Sequence, residues 1–105
     1  MHTIRDQDND RRVLLHVGEP IEIRLAENAS TGYRWALESH DAGLLEPVEV
    51  TASYPGAAVG SGGEAIFRFR AVAAGSTTLA LKYWRHWEGA GSAIRHFSVT
   101  FDIAP

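Results

Sequence analysis

The sequence predicts an all-β protein, two sheets packed into a sandwich of about seven to eight strands. Apolar and polar residues alternate with period two in one short segment after another, the pattern of half-buried strands. Gly, Pro and Asn clusters break these segments at about 8–12-residue intervals, a spacing typical of sandwiches and barrels. No stretch carries the 3.6-residue period of an amphipathic helix.

The charged stretch from Met1 to Arg12 reads as a flexible lead-in, which leaves residues 13–105 as a single domain. Val13-Leu14-Leu15-His16-Val17 is an apolar run stopped by Gly18 and Pro20. Ile21-Glu22-Ile23-Arg24-Leu25 alternates cleanly, and turn formers follow from Asn28 to Gly32. Tyr33, Trp35 and Leu37 share a face of the next segment, with Arg34, Ala36 and Glu38 on the other. Val48 to Ala52 is another strand, ended by Pro55-Gly56. Residues 55–63 hold four glycines and read as a loop. Ala65, Phe67, Phe69 and Ala71 then alternate with Ile66, Arg68, Arg70 and Val72, up to a tight turn at Ala74-Gly75. Leu79, Leu81 and Tyr83 point inward from the following strand. A loop from Arg85 to Ser92 leads to the last strand, whose inward face is Phe97, Val99, Phe101 and Ile103. Seven such strands in roughly 100 residues match an immunoglobulin-like sandwich, in which a Trp is often buried on the third strand. Trp35 occupies that place, so its expected role is in the core.

Composition narrows the function. A chain of 105 residues buries about 65% of its unfolded surface, enough for one core but not for separate cofactor and substrate domains. Net charge is −3, with 10 Lys and Arg against 13 Asp and Glu and no basic cluster, so neither nucleic acid nor an anionic membrane is an expected partner. There is no cysteine, which excludes disulfides, thiol nucleophiles and Cys-based metal sites. No apolar run nears the ~20 residues of a membrane span, and the N-terminus lacks the apolar stretch of a signal peptide. If the protein is exported to a periplasm or secreted, its signal has been removed from this chain; otherwise a cytoplasmic location is expected.

Catalytic patterns are missing. His2, His16, His40, His86 and His96 are scattered, with no metal-ligand spacing. No Ser lies in a Gly-x-Ser-x-Gly elbow. Glu46, Glu49, Glu64 and Glu88 read as a solvated face rather than an acid–base pair. Gly60-Ser61-Gly62-Gly63 is followed by a strand, whereas a phosphate loop needs a helix there. The chain is therefore expected to be neither an enzyme nor a cofactor binder.

Three loops remain, spanning 27–32, 55–63 and 85–93, and in an immunoglobulin-like sandwich these connections gather at one end. Loops on a rigid sandwich commonly present binding surfaces, and Trp, Tyr and Arg are enriched at energetic hot spots. The loops read Asn28-Ala29-Ser30-Thr31-Gly32-Tyr33, then Gly60-Ser61-Gly62-Gly63, then Arg85-His86-Trp87. In order and spacing they resemble the three loop motifs of the chagasin-type inhibitors of papain-family cysteine peptidases: Asn-Pro-Thr-Thr-Gly-Tyr/Phe, Gly-x-Gly-Gly and Arg-Pro-Trp/Phe. The resemblance runs from about Val13 to Ile103. Ala29 and His86 stand where the family has proline.

The resemblance implies a monomeric, reversible inhibitor whose partner is a papain-like cysteine peptidase. By it, the first loop enters the cleft over the catalytic pair, where small residues permit close backbone approach. The glycine loop lies along one wall, and Arg85 and Trp87 anchor on the other. Two further readings follow from the residues alone. One is a carbohydrate-binding sandwich that stacks sugars on Tyr33, Trp84 and Trp87. The other is a structural immunoglobulin-like module.

Overall fold

The computed structural model describes residues 2–27, 32–53 and 63–105. Among the described residues there are eight strands: β1 (His2–Ile4), β2 (Arg12–His16), β3 (Pro20–Glu27), β4 (Arg34–Ser39), β5 (Leu45–Ser53), β6 (Gly63–Ala71), β7 (Gly75–Trp84) and β8 (Arg95–Ala104). They form two four-stranded sheets, ordered β1-β3-β6-β5 and β2-β8-β7-β4. The pairs β1–β3 and β2–β8 are parallel and all others antiparallel. This is the immunoglobulin-like sandwich that the alternation predicts.

The period-two pattern sets the inner faces. Ile21, Ile23 and Leu25 of β3 and Phe67 and Phe69 of β6 face Leu79 and Leu81 of β7 and Phe97, Val99 and Phe101 of β8, all buried in one core cluster. Trp35 joins that cluster, as its place on the strand predicts. Pro20 begins β3, where the missing N–H costs no ladder bond. Pro47 lies in β5, an edge strand, beside a register shift between Pro47 and Glu49.

Residues 2–12, within the stretch that reads as a flexible lead-in, carry structure that packs on the sandwich. His2–Ile4 pairs with Ile21–Ile23, and Ile4 is buried in the core. A 3-10 turn at Asp6–Asp8 follows, and the Asp6 carboxylate accepts the Ala26 N–H at 3.2 Å. Asp10 N–H donates to the Ser98 carbonyl at 2.7 Å. Three residues with one inward side chain are too short for a period to be read, so the pattern could not show β1.

The outer face of the first sheet carries a charge ladder. Glu22 is buried beneath Arg24 and Arg68, both of which donate hydrogen bonds to its carboxylate. Arg24 also reaches Glu64 at 3.1 Å, and Arg68 pairs with Glu49. Hydrogen bonds from Arg24 first, and Arg68 second, hold the Glu22 carboxyl below the usual carboxylate range.

Strand register brings the loop ends together. Glu27, which ends β3, lies opposite Gly63, which begins β6. Ser53 ends β5 opposite Glu64. In the second sheet Arg34 begins β4 opposite Trp84, and Tyr83 pairs with Arg95 at the start of β8. All three connections of interest therefore leave from, and return to, the same end of the sandwich.

Candidate functional site

At that end, two of the three loops touch through Gly32 and Trp87. Gly32 has φ of +79°, and a Cβ there would stand 2.7 Å from Trp87 Cη2 and 3.7 Å from Arg85 Nε. The backbone conformation and the close approach both demand glycine. Trp87 lies on a 3-10 turn, His86–Glu88, and is 62% exposed despite this contact. A Trp presented at a loop tip and supported on its inner side is suited to contact a partner.

Behind it runs a column of rings. The Arg85 guanidinium lies 4.3 Å over the Tyr33 ring. Tyr33 stacks on Tyr83 at 5.5 Å, and Tyr83 packs against Trp35 at 5.0 Å. Arg95 lies over Trp35 at 5.4 Å. The column passes from the loop end into the core, so the orientation of Arg85 is coupled to buried packing. Arg85 also pairs with Glu88 at 3.3 Å, a half-exposed contact of the kind worth little in stability.

The third loop is held shut by a residue to which the sequence gives no role. Ser92 Oγ accepts the Arg85 N–H at 3.1 Å and has the Gly89 and Arg85 carbonyls at 2.7 and 2.9 Å for its own proton. Glu88 N–H donates to the Arg85 carbonyl and Ile94 N–H to the Tyr83 carbonyl, each at 3.0 Å. A serine in a glycine-rich loop has no distinctive sequence signal, so only geometry could find it.

The neck of the first loop is closed in a similar way. Trp35 N–H donates to Glu27 Oε2 at 2.9 Å, and Trp35 Nε1–H donates to the Ala26 carbonyl at 2.9 Å. Arg34 Nη1 lies 4.0 Å from Glu27 Oε1. The flanking sequence showed Glu27 only as the residue before a turn.

Of the thirteen residues picked from the motifs, Gly32, Tyr33, Arg85 and Trp87 come together directly. Gly63 lies at the base of the same end, opposite Glu27, and His86 begins the 3-10 turn. Asn28, Ala29, Ser30, Thr31, Gly60, Ser61 and Gly62 lie outside the described residues. A sugar-stacking platform would need the ring faces of Tyr33, Trp84 and Trp87. Arg85 lies over the first and Lys82 Nζ lies 3.9 Å over the second.

Residues 14–101 match the family model described as "Chagasin family peptidase inhibitor I42". The chain belongs to the chagasin family. It is 27% identical to chagasin of Trypanosoma cruzi over 103 residues, covering 93% of this chain and 94% of chagasin. The crystal structure of the cysteine protease inhibitor EhICP2 from Entamoeba histolytica superposes with a TM-score of 0.87 at 24% identity, over 98% of this chain and 95% of that one. PbICP-C in complex with falcipain-2 shares the fold at 16% identity, with a TM-score of 0.71 over 99% and 100% of the two chains. A chagasin-family fold thus brings the strand ends that flank the three motif segments to one end of the sandwich.

Proposed function

We propose that this chain is a reversible protein inhibitor of papain-family cysteine peptidases, acting through loops 28–33, 60–63 and 85–87 at one end of the sandwich. The observation that carries the reading is the exposed Trp87 seated on Gly32, which joins two of the three motif loops in one surface. Membership of a peptidase-inhibitor family supports the reading, as does the complex of a protein of the same fold with falcipain-2.

The physical mechanism is occlusion. Ala29, Ser30, Thr31 and Gly32 are small, so their backbone enters a narrow groove over the catalytic Cys–His pair without steric clash. Gly60, Ser61, Gly62 and Gly63 lie along one wall, and Arg85, His86 and Trp87 occupy the other, with Tyr33 beneath Arg85. A loop that offers no correctly aligned carbonyl to the thiolate blocks the site without being cut. With no cysteine, the chain forms no mixed disulfide with the catalytic thiol. A standard interface buries ~800 Å² per partner, the area that the three loops together would supply.

Titration of papain with the purified protein, followed by hydrolysis of a fluorogenic peptide, tests the reading. Loss of activity near one-to-one stoichiometry, recovered by competition with excess substrate, is expected. Full activity at micromolar protein, repeated with a cathepsin-type enzyme, would refute it.

A further inference from the structure

We infer that Glu27 is a positioning residue for inhibition, its buried carboxylate latching the neck of the first loop across the gap between the two sheets. This rests on the inhibitory reading above, but its structural half can be tested without a peptidase.

Glu27 is only 4% exposed, although it ends a strand next to a loop. A carboxylate is costly to bury unless it is hydrogen-bonded and faces a cation, and an apolar residue would pack there at lower cost. The carboxylate instead reaches from the first sheet to the second. Glu27 Oε2 accepts the N–H of Trp35 at 2.9 Å, and Trp35 belongs to β4, an edge strand. An edge strand leaves alternate N–H groups without a strand partner, and a buried N–H needs an acceptor from elsewhere. Arg34 Nη1, 4.0 Å from Oε1, supplies the cation.

Trp35 makes the reciprocal contact, with Nε1–H donating to the carbonyl of Ala26 at 2.9 Å. The two bonds tie adjacent residues of β3 to a single residue of β4. The chain between them is thereby a closed ring whose base cannot splay. Gly32 lies three residues before Trp35 and fits against Trp87 with no room for a Cβ. A neck free to open would move Gly32 off the indole. The fraction of molecules ready to enter a cleft would then fall, and apparent affinity would fall by the same factor.

Two variants and two readouts test this. Glu27→Ala removes the acceptor, and Glu27→Gln keeps an oxygen that can accept the Trp35 N–H. Glu27→Ala is expected to raise the inhibition constant for papain about tenfold, mainly by slower association. Glu27→Gln is expected to restore it to within about twofold. By NMR, hydrogen exchange of the Trp35 amide and indole N–H should quicken about tenfold in Glu27→Ala, with Leu81 and Phe97 unchanged. Unchanged exchange at Trp35 in the Ala variant, or a Gln variant as weak as Ala in both readouts, overturns the latch. Exchange that quickens equally at Leu81 and Phe97 also overturns it, since the role is then general stability. Failure of the unmutated protein to inhibit papain refutes the inhibitory reading and leaves the exchange measurement to decide the latch.

Discussion

Trp87 lies against the α-carbon of Gly32, so close that a Cβ on Gly32 would stand 2.7 Å from the indole. The contact joins residues 55 positions apart, one from each of two loops. It turns those loops into one surface, and it makes the conformation of each depend on the other.

Gly32→Ala tests that dependence. The new methyl meets the indole and also sits at a φ of +79°, so two penalties add. A loss of about 1–3 kcal/mol in urea denaturation is expected, with at least tenfold weaker inhibition. Gly32→Trp should obstruct entry into the cleft far more than Thr31→Ala. Equal inhibition constants for those two variants would contradict a central first loop.

Trp87→Ala separates binding from folding. With the residue 62% exposed, removal of the indole should shift Tm by no more than a few degrees. As an anchor it should cost about 2 kcal/mol of binding, roughly thirtyfold in the inhibition constant. Parallel calorimetry and inhibition assays give the two numbers. A large Tm change with unaltered inhibition would assign Trp87 to the fold instead.

Ser92→Ala removes the acceptor of the Arg85 N–H. The expected cost is about 1–2 kcal/mol of stability, together with weaker inhibition from a loosened Arg85–Trp87 turn. Ser92→Thr, which keeps the hydroxyl, should lie between the alanine variant and the parent. Stopped-flow association rates would show whether the loss lies in readiness to bind.

Acid should weaken the fold through Glu22. Its folded pKa lies below the ordinary value because Arg24 and Arg68 donate to the carboxylate. Stability from such a group is fully present above the unfolded pKa and is lost as pH falls through the folded one. The urea midpoint should therefore decline as pH drops below about 4.5, and Glu22→Gln should flatten that decline. An identical pH profile for the variant would remove Glu22 from the explanation.

Trp35→Phe separates the indole's packing from its hydrogen bond. Phe fills most of the volume but leaves the Ala26 carbonyl without the 2.9 Å donor. A cost of about 1–3 kcal/mol is expected, read by thermal unfolding.

Much of this was legible in the residues. The inward sets on β3, β6, β7 and β8 follow from alternation, since successive side chains on a strand point to opposite faces. Alternation puts Tyr33, Trp35 and Leu37 on one face, and Trp35 is in the core with Tyr33 and Leu37 packed against it. The loop motifs, read in order, pointed to the family that residues 14–101 match. Strand β1 escaped notice because three residues carry no period, although Ile4 is buried. Glu27 and Ser92 escaped because a single polar residue beside a turn looks the same whether it is solvated or used.

The sequence by itself determined seven of the eight described strands, the inward faces of β3, β6, β7 and β8, and which three loops carry the motifs. Those properties are local, encoded by period two and by turn residues a few positions apart. Tertiary structure alone decided that Gly32 meets Trp87, that Arg85 lies over Tyr33 in a column reaching Trp35, and that Glu27 spans the sheets to Trp35. Each joins residues brought together by strand register and by the packing of one sheet on the other. No local pattern records such contacts, because their partners are set by the whole core closing at once.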